Sequence, residues 1–207
     1  AVTILADHDD AAANSAPQAS VNVVKDTTAP TSPETLAFTW TMSSPGNGVT
    51  SNDFTPVMTL TGAASENGGS VQLYDGGTCL AGTVAGSSQA IAGGGSTHGD
   101  ISYANDGSED GVIGFYAIVT DQYGNAGPCT NLSRGYTLDT TAPTVAITAN
   151  PAITDVNDNA YVFSGTCSEN GRTVTVSAGG QVPGTQPSCV GGNWSATGDV
   201  SGVVDGN

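Results

Sequence analysis

Apolar residues in this 207-residue chain come in short runs that alternate with Thr, Ser, Ala or Asn, and no run shows helical spacing. Alternation with period two marks a half-buried strand. Such runs fall at residues 2–5 and 21–24, at Leu36, Phe38 and Trp40 (alternating with Ala37 and Thr39), and at residues 57–61, 71–74, 101–103 and 115–120. Another ends at Leu138, and further runs follow at residues 145–148, 161–163 and 173–176 and around Trp194. Gly-, Asn- and Asp-rich clusters separate them. Asn67-Gly68 and Asn170-Gly171 predict tight hairpin turns, because both residue types tolerate positive φ. Residues 82–99 are glycine-rich and predict a loop with one short edge strand. The pattern as a whole is all-β.

The turns and strands repeat. The hexapeptide DTTAPT occurs at residues 26–31 and again at 139–144, and S-E-N-G follows each copy, at Ser65 and at Ser168. The text before each copy also matches: DQYGNAGP at residues 121–128 has a counterpart in DAAANSAP at residues 10–17. An internal repeat of this kind marks modules, with DTTAPT as their junction. The segment between the junctions holds about seven short strands in roughly a hundred residues, the layout of an immunoglobulin-like sandwich.

The predicted organisation is tandem immunoglobulin-like β-sandwiches, incomplete at both chain ends. Residues 1–26 are the final strands of a module, 27–138 a complete module, and 139–207 a module lacking its last strands. Placing residue 1 after residue 207 gives DGNAVTILA, which copies the layout of DGVIGFYAI at residues 110–118. The first strands therefore complete a neighbouring module, either along a continuous repeat or by strand donation between separate subunits. Both join copies of the chain head to tail, and head-to-tail contacts that do not close make filaments. Ala1 reads as a mature end or as the cut end of something longer.

Charge narrows the partners. Nineteen acids face three cations, Lys25, Arg134 and Arg172, for a net charge of −16. Nucleic acid is excluded as a partner because too few cations are present to neutralise phosphates. An anionic membrane surface is disfavoured for the same reason, and no stretch is apolar for long enough to insert in a bilayer. Four cysteines fall two to a module, Cys79 with Cys129 and Cys167 with Cys189, and no C-x-x-C spacing is present. Two disulfides and an oxidising, extracellular setting follow, with buried free thiols as the alternative.

The two DTTAPT junctions, the S-E-N-G turns, the D-x-x-G-N turn ending at Gly124-Asn125 and the Gly192-Asn193-Trp194 step resemble the tandem bacterial Ig-like repeats of giant surface adhesins and biofilm-associated proteins. The resemblance spans nearly the whole chain. It implies an extracellular, non-enzymatic stalk or fibre on the bacterial cell surface, with copies of itself as head-to-tail partners and a host, surface or glycan ligand. The chain departs from the repeats at Ala13, where the corresponding turn carries glycine.

The resemblance also implies calcium at module junctions. Calcium takes six to eight oxygen ligands. The candidates are the junction acids Asp26 and Asp139, the turn acids Glu66, Glu169, Asp10 and Asp121, and Asp155 and Asp158 in a D-V-N-D-N stretch like the cadherin linker motif. The alternative for each is a turn whose side chain bonds its own backbone.

Lys25 reads as a solvated lysine rather than an isopeptide donor. Catalysis finds no motif: His8 and His98 both fall in polar or glycine-rich turns, and H-E-x-x-H and G-x-S-x-G are absent. The second alternative to a fibre is the carbohydrate-binding module of a secreted enzyme, whose sugar platform would use Tyr74, Tyr103 and Tyr123.

Overall fold

The computed structural model describes residues 1–30, 38–148, 151–180 and 184–204. Leu36 and Ala37 of the predicted opening strand lie outside them, as does the Asp205-Gly206-Asn207 segment. The chain divides into two compact units, Ala1–Thr141 and Ala142–Asn207.

The first unit opens with β1 (Val2–Ala6) and β2 (Ala19–Val23) and continues with β3 (Thr39–Ser44), β4 (Thr50–Ser51), β5 (Val57–Thr61) and β6 (Ser70–Tyr74). It closes with β7 (Val84–Ala90), β8 (Ser96–His98), β9 (Gly111–Thr120) and β10 (Thr130–Leu138). A three-stranded sheet ordered β3-β5-β8 and a five-stranded sheet ordered β4-β10-β9-β6-β7 form an immunoglobulin-like β-sandwich. The period-two pattern dictates which side chains enter the core. Along β9, Ile113, Phe115, Ala117 and Val119 are buried while the residues between them are not. They meet Val71 and Leu73 of β6, Met58 and Leu60 of β5, and Trp40 and Met42 of β3 in one cluster. Full burial of a side chain such as Phe115 contributes about 2–3 kcal/mol.

The second unit carries β11 (Val145–Ile147), β12 (Tyr161–Cys167) and β13 (Asn193–Gly198) in a three-stranded antiparallel sheet of that order. Its described buried apolar set is small: Tyr161, Val176, Cys189, Trp194, Ala196 and Val200. Trp194 lies opposite Gly165 on β12, and its Nε1 donates to Ala146 O and Thr166 O at 3.2 Å each. A Cβ on Gly165 would stand 1.9 Å from Ala146 O and 2.5 Å from the Trp194 ring nitrogen. Only glycine lets that indole lie against the strand.

Four expectations are corrected. Residues 101–103 form no strand; Ile101 is buried, but hydrogen bonding is limited to contacts such as Tyr103 N to Phe54 O. Residues 82–99 hold two strands rather than one, because pairing with β6 and β5 orders a segment whose own apolar pattern is weak. Residues 173–176 make one bridge, Thr173 to Ser188, instead of a strand. His98 is no turn residue: it ends β8 and is fully buried beside Trp40, with ring centroids 5.9 Å apart.

Candidate assembly surfaces

Two turns of the chain share one hydrogen-bond pattern. In the Asp121 turn the carboxylate Oδ1 accepts from the Tyr123 and Asn125 amides, and Oδ2 accepts from Asn125 Nδ2 at 2.7 Å. In the Asp10 turn Oδ1 accepts from the Ala12 and Asn14 amides, and Oδ2 accepts from Asn14 Nδ2 at 2.8 Å. Backbone bonds agree as well: Asp121 N to Asn125 O and Gly124 N to Asp121 O match Asp10 N to Asn14 O and Ala13 N to Asp10 O. Donors to the carboxylate favour its charged form, so both acids titrate below the ordinary range, led in each case by the asparagine side chain. Ala13 adopts φ 63° where Gly124 adopts φ 90°, so the alanine keeps the turn's shape in a backbone region that favours glycine.

The strands flanking the turns match too. Ala117 pairs with Thr130 and Tyr116 with Asn131 across β9 and β10, as Ala6 pairs with Ala19 and Leu5 with Ser20 across β1 and β2. The β1–β2 hairpin is thus the counterpart of the turn end of β9–β10; beyond Asn131 the pairing of β10 shifts, and that of β2 does not. Their surroundings differ. β9 also pairs with β6, whereas among the described residues β1 and β2 pair only with each other, and all their residues are exposed. Val2, Ile4, Leu5 and Val21 are each at least half exposed.

The second unit shows the reverse condition. Its S-E-N-G turn repeats that of the first: Gly68 N donates to Ile91 O and Ile91 N to Gly69 O, as Gly171 N donates to Cys189 O and Cys189 N to Arg172 O. The Asn67 and Asn170 side chains accept from the Gly94 and Gly192 amides respectively. Val174 and Val176 therefore stand where Val71 and Leu73 stand. One side is occupied, with Val174 N donating to Pro187 O and Val176 N to Gln186 Oε1. Backbone groups of an extended chain alternate in direction, so those of Thr173 and Thr175 face the other side. In the first unit that side holds β9. In the second unit Thr173, Val174 and Thr175 line an open groove of about 320 Å³ together with Val145 and the Cys167–Cys189 pair.

The cysteines pair within modules. Cys79 bonds Cys129 and Cys167 bonds Cys189, with Cα atoms 5.8 and 6.0 Å apart. The second bond ties β12 to the segment before β13.

Three of the eight predicted calcium ligands border one hollow, and the other five are not among its lining. Asp26, Glu66 and Asp121 line one open hollow with Thr28, Asn67 and Tyr123, yet Asp26 Oδ1 accepts from Thr28 N and both Asp121 oxygens serve their own turn. Asp10 is bound in its turn as described. Asp139 donates its amide to Ser51 O, and Glu169 borders the second unit's groove. Asp155 lies in an exposed turn; Asp158 Oδ1 accepts from Asn159 Nδ2, and the Asp158 carbonyl accepts from Val200 N. Among the described residues no three His, Cys, Asp or Glu side chains are grouped to hold a metal. The turn alternative accounts for Asp10 and Asp121.

One acid outside that set serves a junction. Asp110 Oδ1 accepts from Thr140 N and Oγ1 at 2.8 Å each, and Oδ2 accepts from Thr141 N at 3.1 Å and Oγ1 at 2.7 Å. These donors, the Thr141 hydroxyl first, hold the carboxyl below its usual range. In the sequence Asp110 stood out only through the D-G pair it shares with Asp205-Gly206, which did not reveal the cap.

Of the sugar-platform tyrosines, Tyr103 packs against the first unit's core, Tyr74 is half-buried and Tyr123 is half exposed. Among the described residues no helix is long and apolar enough to cross a membrane.

No family model and no curated protein matches the chain. Among solved structures, the fibronectin(III)-like modules of CbhA from Clostridium thermocellum align over 78% of this chain and 78% of theirs, at 15% identity and a TM-score of 0.35. At that score the likeness bears no weight; the sandwich is read from strand pairing and burial.

Proposed function

We propose that this chain is a stretch of an extracellular fibre or stalk of a bacterial surface adhesin or biofilm filament. Its immunoglobulin-like modules are joined head to tail and carry no catalytic activity. What supports the reading is one observation: the β1–β2 hairpin reproduces the turn of β9–β10 and the two strand pairs beside it, while residues 173–175 of the second unit, the counterpart of β6, line an open groove. The second module then takes its last strands from the next stretch of chain. The four cysteines, all paired, suit an oxidising compartment. The Asp110 cap supports a mechanical role, since it fixes Thr140 and Thr141 at the point where one module passes to the next. The proline that follows, Pro143, further restricts the linker backbone.

Fractionation of producing cells, followed by mass spectrometry under denaturing conditions with and without reductant, tests this. The expected result is protein in the surface or extracellular fraction with both disulfides intact. Cytosolic protein with free thiols overturns the reading. A glycan array checks the carbohydrate-binding alternative, and binding there would replace the fibre with a recognition module.

A further inference from the structure

We infer that the β1–β2 hairpin of one chain docks in the open groove of the second unit of another copy, residues 6–9 pairing with residues 173–176 as β9 pairs with β6. The inference rests on the fibre reading and adds to it a surface, a partner and a register.

The register follows from the first unit. There Val71 pairs with Val119, Gln72 with Ile118 and Leu73 with Ala117. Carrying the matched turns across sets Val174 opposite His8, Thr175 opposite Asp7 and Val176 opposite Ala6. The inward face of the hairpin is then Val2, Ile4 and Ala6, which take the places of Ile113, Phe115 and Ala117. Leu5 takes the outward place of Tyr116. In the first unit the inward trio is at most 8% exposed, against 50% for Val2 and 53% for Ile4 in the free hairpin. The groove along Thr173, Val174 and Thr175 then receives the Asp7–Asp9 end of the hairpin, with His8 in the inward place of Val119, while Ile4 and Val2 follow beyond the Ala6–Val176 pair.

Charge agrees with the seating. Gly69 of the first unit has no room for a Cβ, which would lie 2.2 Å from Thr120 O. Arg172 stands at that position in the second unit. The incoming turn therefore sits further out, and the guanidinium of one of only three cations meets the acidic run Asp7, Asp9 and Asp10. The partner is a second copy because the chain meets the first sandwich at opposite ends. It enters beside the Asp121 turn, where Asn125 Nδ2 donates to Asp26 O, and leaves beside Asp110. The ten residues of β9 separate those ends by about 33 Å.

Sedimentation velocity on the 207-residue chain over a range of concentrations tests the docking, with Ile4→Asp and Leu5→Asp compared. The two side chains are almost equally exposed in the free chain, 53% and 56%, so they differ only if the hairpin is covered on one face. Wild type is expected to form concentration-dependent oligomers that weaken with added salt. Ile4→Asp is expected to weaken association by about a hundredfold, since it buries an unpaired charge, and Leu5→Asp by no more than about threefold. Near-UV signals of Trp40 and Trp194, both outside the hairpin, confirm that each variant folds. Equal effects of the two substitutions overturn the proposal, as does a monomer at every concentration, including one whose hairpin amides are protected by closure onto its own chain. A monomeric chain that is still extracellular and disulfide-bonded overturns the docking alone and leaves the fibre reading standing.

Discussion

Asp110 accepts a hydrogen bond from the Thr141 hydroxyl at 2.7 Å, and with three more donors from Thr140 and Thr141 it holds the end of the first module closed. Gly107 N adds a fifth bond, donating to Thr140 Oγ1 at 2.9 Å. Asp110→Ala is expected to leave the sandwich folded while the Gly107, Thr140 and Thr141 amides exchange roughly tenfold faster, because each loses its acceptor or its fixed partner. Amide exchange followed by NMR reads this. Unchanged protection would show that the backbone alone shapes the junction.

The twin turns predict opposite outcomes for opposite substitutions. Gly124→Ala meets no atom within 4 Å, so its cost is only that of placing a side chain at φ 90°, about 1 kcal/mol of first-unit stability. Ala13→Gly relieves the same strain at φ 63° and is expected to stabilise the hairpin turn by several tenths of a kcal/mol, roughly the Gly–Ala difference in the left-handed region. Urea unfolding checks the first change and hairpin amide exchange the second. A stabilising Gly124→Ala would contradict the positive-φ account.

The disulfides close segments of 50 and 22 residues. Chain entropy assigns them about 4 and about 3 kcal/mol respectively. The second unit has the smaller described core, so reduction is expected to unfold it first. Trp194 fluorescence should shift to the red in dithiothreitol while Phe115 and its neighbours stay protected from exchange. Survival of the Trp194 environment in a Cys167→Ser, Cys189→Ser variant would show that the sheet holds without its staple.

His98 supplies a pH dependence. Burial brings its pKa down to about 4, against an opposing pull from Asp100. The unfolded chain, with an ordinary histidine, binds a proton at higher pH than the fold does. The contribution of neutral His98 is complete above pH 6.5 and declines as pH falls through 6.5 towards 4, by on the order of 3 kcal/mol. Thermal unfolding from pH 4 to 7 is expected to show this slope in wild type and to lose it in His98→Leu. An unchanged slope in the variant would assign it to the carboxylates. Asp100 has its own pKa lowered, chiefly by the Ser87 hydroxyl, and its contribution is lost at lower pH, as the pH falls through its folded value.

Alternation in the sequence was enough to identify β5, β6, β9 and β12, because each has one face in a core and the other outside it, and period two records that directly. It failed for β7 and β8, which sit at sheet edges where Ser, Gln and Thr carry little pattern; hydrogen bonding to β6 and β5 makes them strands. It also failed for residues 173–176, whose alternation is sound but which, among the described residues, pair only through the Thr173–Ser188 bridge. Asp26, Glu66 and Asp121, far apart in the sequence, line one hollow in which both Asp121 oxygens also accept hydrogen bonds from its own turn.

By itself the sequence determined what is local or repeated: the all-β class, the paired DTTAPT junctions, the cysteine partners, and the likeness of the first hairpin to β9–β10. These follow from period, turn chemistry and self-similarity, which need no third dimension. Only the tertiary structure decided that His98 is buried, that Asp110 caps the junction, and that among the described residues the β1–β2 hairpin pairs with no other strand while residues 173–175 line an open groove. Burial and hydrogen-bond partners depend on which distant segments meet, and spacing along one chain does not specify that.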